Sequence, residues 1–254
     1  TKKQNAKMRI MFLDHTPVLG GAQLALLRHL KYLNRSRFDP IVIVGQGGPM
    51  IGKFKKIINL KVFELNFPKM KVLNIFLPLS FLYAVTRLLH LIRRENPGLL
   101  VANTERSFYL AFFASLIMGR RLILMVRDFE FSQTLLKILD FKVETYLCVS
   151  GKIQDFYGLP KEKSKVIYVG SDLSEKLKGV SAEEVAEIKN SLGIKPGMLV
   201  IGFVGRLIEW KGPRLLLDVY SGLVKEGFAT TIHLIIVGEG PMRGELENEI
   251  IRWG

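Results

Sequence analysis

The chain has a single cysteine, Cys148, in 254 residues, so no internal disulfide can staple it and folding must rest on a packed core. One thiol fits a reducing compartment, and the polar, basic start TKKQNAKMRI carries no apolar signal, so the expected location is cytoplasmic. The four histidines (His15, His29, His90, His233) are scattered, which excludes a clustered zinc site. No Asp-x-Asp pair is present to hold Mg²⁺ or Mn²⁺ on a diphosphate, and no G-x-x-x-x-G-K-[ST] segment is present to form a P-loop. Neither a metal nor a cofactor is expected.

Apolar residues and positive charge are abundant. Hydrophobic residues make up 48% and charged residues 24%, enough for a sizeable core in one large or two ordinary domains. The net charge of +14 is unevenly spread. Residues 1–170 hold 27 Lys+Arg against 11 Asp+Glu, a net +16, and residues 171–254 hold 10 against 12, a net −2. This asymmetry implies two domains with different partners, the basic one favouring something anionic; a solvated basic surface gives the same composition.

The hydropathy pattern is α/β. MRIMFL (8–13), PIVIVG (40–45), KVFEL (61–65), GLLVA (98–102), RLILMV (121–126), TYLCV (145–149) and KVIYV (165–169) are short, continuously apolar strands. Between them apolar residues recur at helical spacing, as in Leu26, Leu27, Leu30 and Leu33. Strand, crossover helix, strand predicts a parallel sheet buried on both faces, a doubly wound Rossmann-like domain over residues 1–172. Residues 173–197 are polar and predict a linker with one short helix, started by a capping box from Ser181 to Glu184. The rhythm then restarts over 198–254 with MLVIGFV, a helix from Pro213 to about Lys225, IHLIIVG and a helix from Pro241 onward. Two parallel strands bury little apolar surface, so this second domain is expected to be incomplete.

The segment IGFVGRLIEWKG (201–212) places Arg206 and Lys211 where a strand ends and a helix is about to open at Gly212–Pro213. A helix start presents unpaired N–H groups and partial positive charge, and open α/β sheets bind ligands beyond the carboxyl ends of their strands. The two cations suit a phosphate or diphosphate, although ordinary loop cations in water have the same spacing. Gly205, Gly238, Glu239 and Gly240 stand at the same strand ends, and Gly20 and Gly21 repeat the strand–glycine–helix arrangement near the start. Gly238, Gly240 and Gly244 give G-x-G-x-x-x-G, a spacing that argues against a nicotinamide site. The basic half lacks interleaved exposed aromatics, so nucleic acid is not an expected partner.

FVGRLIEWKGPRLLLDVY followed by LIIVGEGPMRGELE resembles the donor domain of GT-B glycosyltransferases of family 4, the group 1 transferases. The G-G-A-Q loop and CVSGKIQDFYGLPKEKSKVIYVGSD (148–172) resemble family segments in the same order. The resemblance implies a GT-B architecture and retaining, metal-independent sugar transfer from a nucleoside-diphosphate sugar such as a UDP- or GDP-sugar. It implies that Arg206 and Lys211 stabilise the departing diphosphate, that Gly20 and Gly21 offer backbone N–H groups to the phosphates, and that Gly205, Gly238, Glu239 and Gly240 line the nucleotide site. Arg127 stands where the family pattern has histidine, and Asp128 beside it is implied as an acceptor contact. Asp172 is the last element of the segment before the linker. The acidic E-x(7)-E segment has no counterpart up to Gly254, which keeps open a truncated, non-catalytic nucleotide-binding module.

PKMKVLNIFLPLSFLYAVTRLLHLIRRENP (68–97) combines basic flanks with an apolar stretch that falls short of the roughly 20 residues needed to span a bilayer. SFYLAFFASLIMG (107–119) is similar. Both read as buried crossover helices covering the sheet. The alternative is contact with an anionic membrane surface through Lys69, Lys71, Arg87, Arg93 and Arg94, with a glycan or lipid-linked acceptor there.

Overall fold

Alternate residues of MRIMFLD separate onto two cores: Met11 and Leu13 join one apolar cluster, Ile10 and Phe12 another. The same split recurs in PIVIVG, where Ile41 and Ile43 face the first cluster and Val42 and Val44 the second. Strands buried on both faces have no polar side to alternate, which is why the sequence reads as unbroken apolar runs.

The computed structural model describes residues 7–68, 77–171 and 179–252. It divides into two compact units, Thr1–Ser171 and Asp172–Gly254. In the first unit the described elements are β1 (Met8–Asp14), α1 (Gly21–Tyr32), β2 (Phe38–Gly45), α2 (Pro49–Lys55), β3 (Lys61–Leu65), α3 (Leu77–Glu95), β4 (Leu99–Ala102), α4 (Glu105–Met118), β5 (Arg121–Val126), α5 (Gln133–Leu139), β6 (Thr145–Cys148), α6 (Gly151–Tyr157) and β7 (Ser164–Val166). Among the described residues the seven strands form one parallel sheet in the order β3-β2-β1-β4-β5-β6-β7. Helices α1 and α2 cover one face; α3, α4, α5 and α6 cover the other. The strand order reverses between β1 and β4, so the crevice of a doubly wound sheet opens at the carboxyl ends of those two strands.

One element differs from the sequence pattern. The strand expected over 165–169 stops at Val166, and Ile167, Tyr168 and Val169 are exposed: among the described residues β7 is an edge strand paired with β6 alone. Pro78 lies in the first turn of α3, where its missing N–H costs no hydrogen bond. Lys69 and Lys71, and Asp172 at the end of the 148–172 segment, lie outside the described residues.

The second unit contains α7 (Ala182–Ser191), β8 (Leu199–Val204), α8 (Pro213–Lys225), β9 (Ile232–Val237) and α9 (Arg243–Arg252). Helix α7 begins with the expected reciprocal cap: Glu184 N donates to Ser181 Oγ at 3.1 Å and Ser181 N donates to Glu184 Oε2 at 2.9 Å. Helix α9 starts at Arg243, two residues after Pro241, because Gly240 and Pro241 belong to a turn. Strands β8 and β9 pair in parallel, and Leu207, Leu217, Met242 and Leu246 form a small core against Phe203, Leu234 and Ile236. Val204 and Val237, at the strand ends, are exposed. So little burial is what two strands and two helices can provide.

Candidate functional site

In the second unit the loops that leave β8 and β9 are bonded to one another. Gly205 N donates to Val237 O at 3.0 Å, Leu207 N to Glu239 O at 3.0 Å, and Met242 N to Leu207 O at 3.2 Å. Such close approach leaves no room for side chains at the contact. A Cβ at position 238 would stand 1.8 Å from Gly205 O, and one at 240 would stand 2.3 Å from Leu207 O. Gly238 and Gly240 are therefore glycine for a packing reason that applies whatever the loops bind. Gly205 is less constrained, since a Cβ there meets only the Phe203 ring at 3.5 Å.

Arg206 leaves this braced pair of loops as an exposed side chain. A short 3-10 turn (Glu209–Lys211) carries the chain to Gly212, whose φ of +72° sets the bend into α8, and Pro213 begins the helix. Lys211 Nζ lies 4.3 Å from the centroid of the Trp210 ring. Neither Arg206 nor Lys211 has a carboxylate partner among the described residues. By contrast Arg214 pairs with Glu245 and Glu249, and Arg243 with Glu239 and Glu247. Arg214 and Arg243 are neutralised, and the two cations before α8 are not. Glu239, implied by resemblance to line the nucleotide site, has its carboxylate engaged by Arg243.

The first unit presents a second polar site at its sheet crevice. Asp14, the last residue of β1, is fully buried, and every contact to its carboxylate is a donor. Thr16 N gives 2.9 Å to Oδ1, Gln23 Nε2 gives 3.0 and 2.9 Å to Oδ1 and Oδ2, and Asn103 Nδ2 gives 2.6 Å to Oδ2. Burial raises the Asp14 pKa above the ordinary carboxylate value, and these donors offset only part of that rise. A protonated carboxyl would need an acceptor for its O–H, so this shell of donors suits the carboxylate. Asn103, which follows β4, then turns its carbonyl oxygen to Arg127, whose Nε donates at 2.9 Å. Buried anion, amide and half-buried cation thus link the ends of β1, β4 and β5. Beside them His15 Nδ1 lies 2.7 Å from Thr104 Oγ1 and Nε2 lies 2.9 Å from Thr16 Oγ1. Burial, and then the nearby Arg106 charge, lower the His15 pKa to about 4, which keeps the ring neutral.

Of the residues singled out from the sequence, Arg206, Lys211, Gly205, Gly238, Glu239 and Gly240 come together at one end of the second unit's sheet. Gly20 and Gly21 lie at the start of α1, after β1, with no side-chain cap on the helix. Asp128 follows β5, exposed, and accepts from Glu130 N at 3.2 Å. Strand β4 stands between β1 and β5. What joins the ends of these strands is the Asp14–Asn103–Arg127 chain, and Asp14, His15 and Asn103 were not foreseen. One signal was available: each is a polar residue at the carboxyl end of a buried parallel strand, where side chains reach the crevice.

Residues 184–252 match the family model described as glycosyl transferases group 1. The chain is 23% identical over 263 residues to UDP-Gal:alpha-D-GlcNAc-diphosphoundecaprenol alpha-1,3-galactosyltransferase of Escherichia coli, covering 97% of this chain and 66% of the relative. Its fold superposes on the crystal structure of Anabaena Alr3699/HepE in complex with UDP and glucose with a TM-score of 0.72 at 25% identity, covering 96% of this chain and 66% of that one. The chain is related to the group 1 glycosyltransferases. A shorter match, 33% identical over 95 residues, is to a D-inositol 3-phosphate glycosyltransferase of Corynebacterium urealyticum and covers 37% of this chain and 22% of the relative. The architecture is Rossmann-like and GT-B-like. The chain spans about two thirds of the length of the E. coli and Anabaena proteins.

Proposed function

We propose that this chain is the acceptor-side domain and part of the donor domain of a glycosyltransferase that takes a hexose from a nucleoside-diphosphate sugar. The observation that carries the reading is the pair of uncompensated cations, Arg206 and Lys211, set between a braced loop and the N-terminus of α8. When a glycosidic bond to a diphosphate breaks, negative charge grows on the departing diphosphate, and fixed positive groups at that position lower the barrier. Two side chains and a helix start perform this without a metal ion, the metal-independent form of the reaction. UDP is the favoured nucleotide, because the E. coli relative is named for UDP-Gal and the Anabaena protein is seen in complex with UDP. Retention of anomeric configuration is the inference that the family resemblance carries.

On the acceptor side, Asp128 and the Asp14–Asn103–Arg127 chain are at the crevice where a doubly wound sheet takes its ligand. Asp128 contacts the acceptor hydroxyl in this reading, and Arg127 is a cation locked in place beside it. A lipid-linked acceptor is in keeping with the E. coli relative, whose name specifies a diphosphoundecaprenol.

Calorimetric titration of the chain with UDP and GDP tests the donor reading. Arg206→Ala and Lys211→Ala are each expected to weaken UDP binding by about 1.5–3 kcal/mol, the loss of one charge-assisted contact. Unchanged affinity in both variants removes the diphosphate from this loop. Turnover of a UDP-hexose by the chain extended to the full length of its relatives, with none by the inactive Arg206→Ala form, separates a transferase from a module that only binds nucleotide.

A further inference from the structure

The first unit keeps a group of large apolar side chains in water along α3, α4 and the turn after α5, besides the separate Tyr32 and Ile58 beside α1 and α2. On α3 these are Leu82 (59% exposed) and Tyr83; on α4, Leu116 (50%) and Ile117; just beyond α5, Phe141 (69%). The three helices cover the same face of the sheet, and rings join α3 to α4 and α4 to the turn after α5. Phe81 meets Phe113 with centroids 5.5 Å apart, and Phe112 meets Phe141 at 5.7 Å. The exposed residues therefore sit on one continuous outer surface. A soluble helix normally turns such positions to charge, and a patch of this kind marks a contact surface.

Its charge is of one sign. The only acid of α3 is Glu95, buried and bonded to Lys61 at 2.7 Å and Arg94 at 3.1 Å. The only acid of α4 is its first residue, Glu105, which accepts from the Tyr109 hydroxyl at 3.0 Å; α5 has none. The neighbouring Asp140 is paired with Lys163 at 2.8 Å. Arg87, Arg93 and Lys137, on the same helices, are exposed and have no carboxylate partner among the described residues. The other dense group of cations, Lys31, Lys53 and Lys55, lies in the last turns of α1 and α2, where the free carbonyls account for it.

We infer that the outer face of α3, α4 and α5 docks on an anionic lipid bilayer, the apolar side chains entering the interface while Arg87, Arg93 and Lys137 meet the headgroups. A second copy of the chain fits this face poorly, because a two-fold pairing would set the cations of one copy against those of the other on a unit that already carries +16. Among the described residues no helix is long and apolar enough to cross a membrane, so these helices would lie along the surface. The inference rests on no property of the nucleotide loop; it gives the proposed lipid-linked acceptor a surface on which to be met.

Cosedimentation of the full chain with vesicles tests it, comparing pure phosphatidylcholine with phosphatidylcholine containing phosphatidylglycerol. Binding is expected on the anionic vesicles alone, and is expected to weaken about tenfold or more when salt rises from roughly 0.05 to 0.5 M. Leu116→Glu/Ile117→Glu and, separately, Arg87→Glu/Arg93→Glu are each expected to lower it about tenfold or more. All four positions are exposed, and an unchanged thermal midpoint shows that the variants fold. Equal recovery on neutral and anionic vesicles, no recovery on either, or full recovery of both variants overturns the inference. So does a dimer in light scattering that Leu116→Glu/Ile117→Glu converts to a monomer without altering vesicle binding. UDP titration of the same samples keeps the two readings apart: failure there bears on the nucleotide loop, and lost vesicle binding with intact UDP affinity isolates the docking face.

Discussion

Asn103 Nδ2 stands 2.6 Å from Asp14 Oδ2, joining the carboxyl ends of two neighbouring parallel strands through side chains that are both buried. The same amide accepts from Arg127 through its oxygen, so a single side chain satisfies a buried anion and orients a cation. Asn103→Ala is expected to destabilise the first unit by about 1–3 kcal/mol, since Asp14 loses a donor inside a low-dielectric crevice. A urea unfolding series checks it; a change within about 0.5 kcal/mol, the scatter of surface substitutions, shows that the network is not structural.

Gly238→Ala and Gly240→Ala are expected to destabilise the second unit, because their Cβ atoms would meet backbone oxygens at 1.8 and 2.3 Å that cannot move aside without breaking the bonds between the loops. About 1–3 kcal/mol each is expected, with UDP affinity falling in step. Gly205→Ala and Gly21→Ala, which meet nothing closer than 3.5 Å, are expected to leave stability within about 0.5 kcal/mol. Thermal melts of the four variants separate glycines placed by packing from glycines available to a ligand.

His15 is expected to stay neutral through pH 6 and to titrate near 4 in an NMR pH series, because burial and the Arg106 charge oppose protonation. A folded-state value below the ordinary one means that the unfolded chain takes up the proton first. The stability contribution is therefore intact above about pH 6.5 and is lost as pH falls from there toward 4. His15→Gln flattens that part of the stability profile; an unchanged slope overturns the assignment.

Cys148 ends β6 fully buried, and burial pushes its thiol up to about 11. Labelling by a thiol reagent at pH 8 is expected to be slow in the native chain and to follow unfolding across a urea series. Rapid native labelling would mean that the β6–β7 end of the sheet opens without global unfolding.

Much of the fold was legible because parallel strands buried on both faces leave an unmistakable mark. PIVIVG and RLILMV have no polar partner face to alternate with, and each is separated from the next strand by a stretch of helical period. The capping residues Ser181 and Glu184 and the Gly212–Pro213 helix start were equally local, each decided within four residues of chain. The ends of strands were less legible, as at β7, where apolar Ile167, Tyr168 and Val169 lie past the last pairing because an edge strand has one neighbour only.

The cations Arg206 and Lys211 were visible as a spacing, but that they lack carboxylate partners while Arg214 has two on α9 depends on how α8 and α9 pack. The contact of Gly238 with Gly205 joins residues 33 apart, and that of Asn103 with Asp14 joins residues 89 apart. Short-range order by itself determined which segments are strands and helices and where the glycine turn carrying Arg206 and Lys211 lies, since hydropathy period, caps and glycines act through neighbours in the chain. Only tertiary packing decided which polar side chains meet at the crevice and which apolar ones stay in water, because burial and hydrogen bonding are settled by strand order and helix contacts that no local pattern encodes.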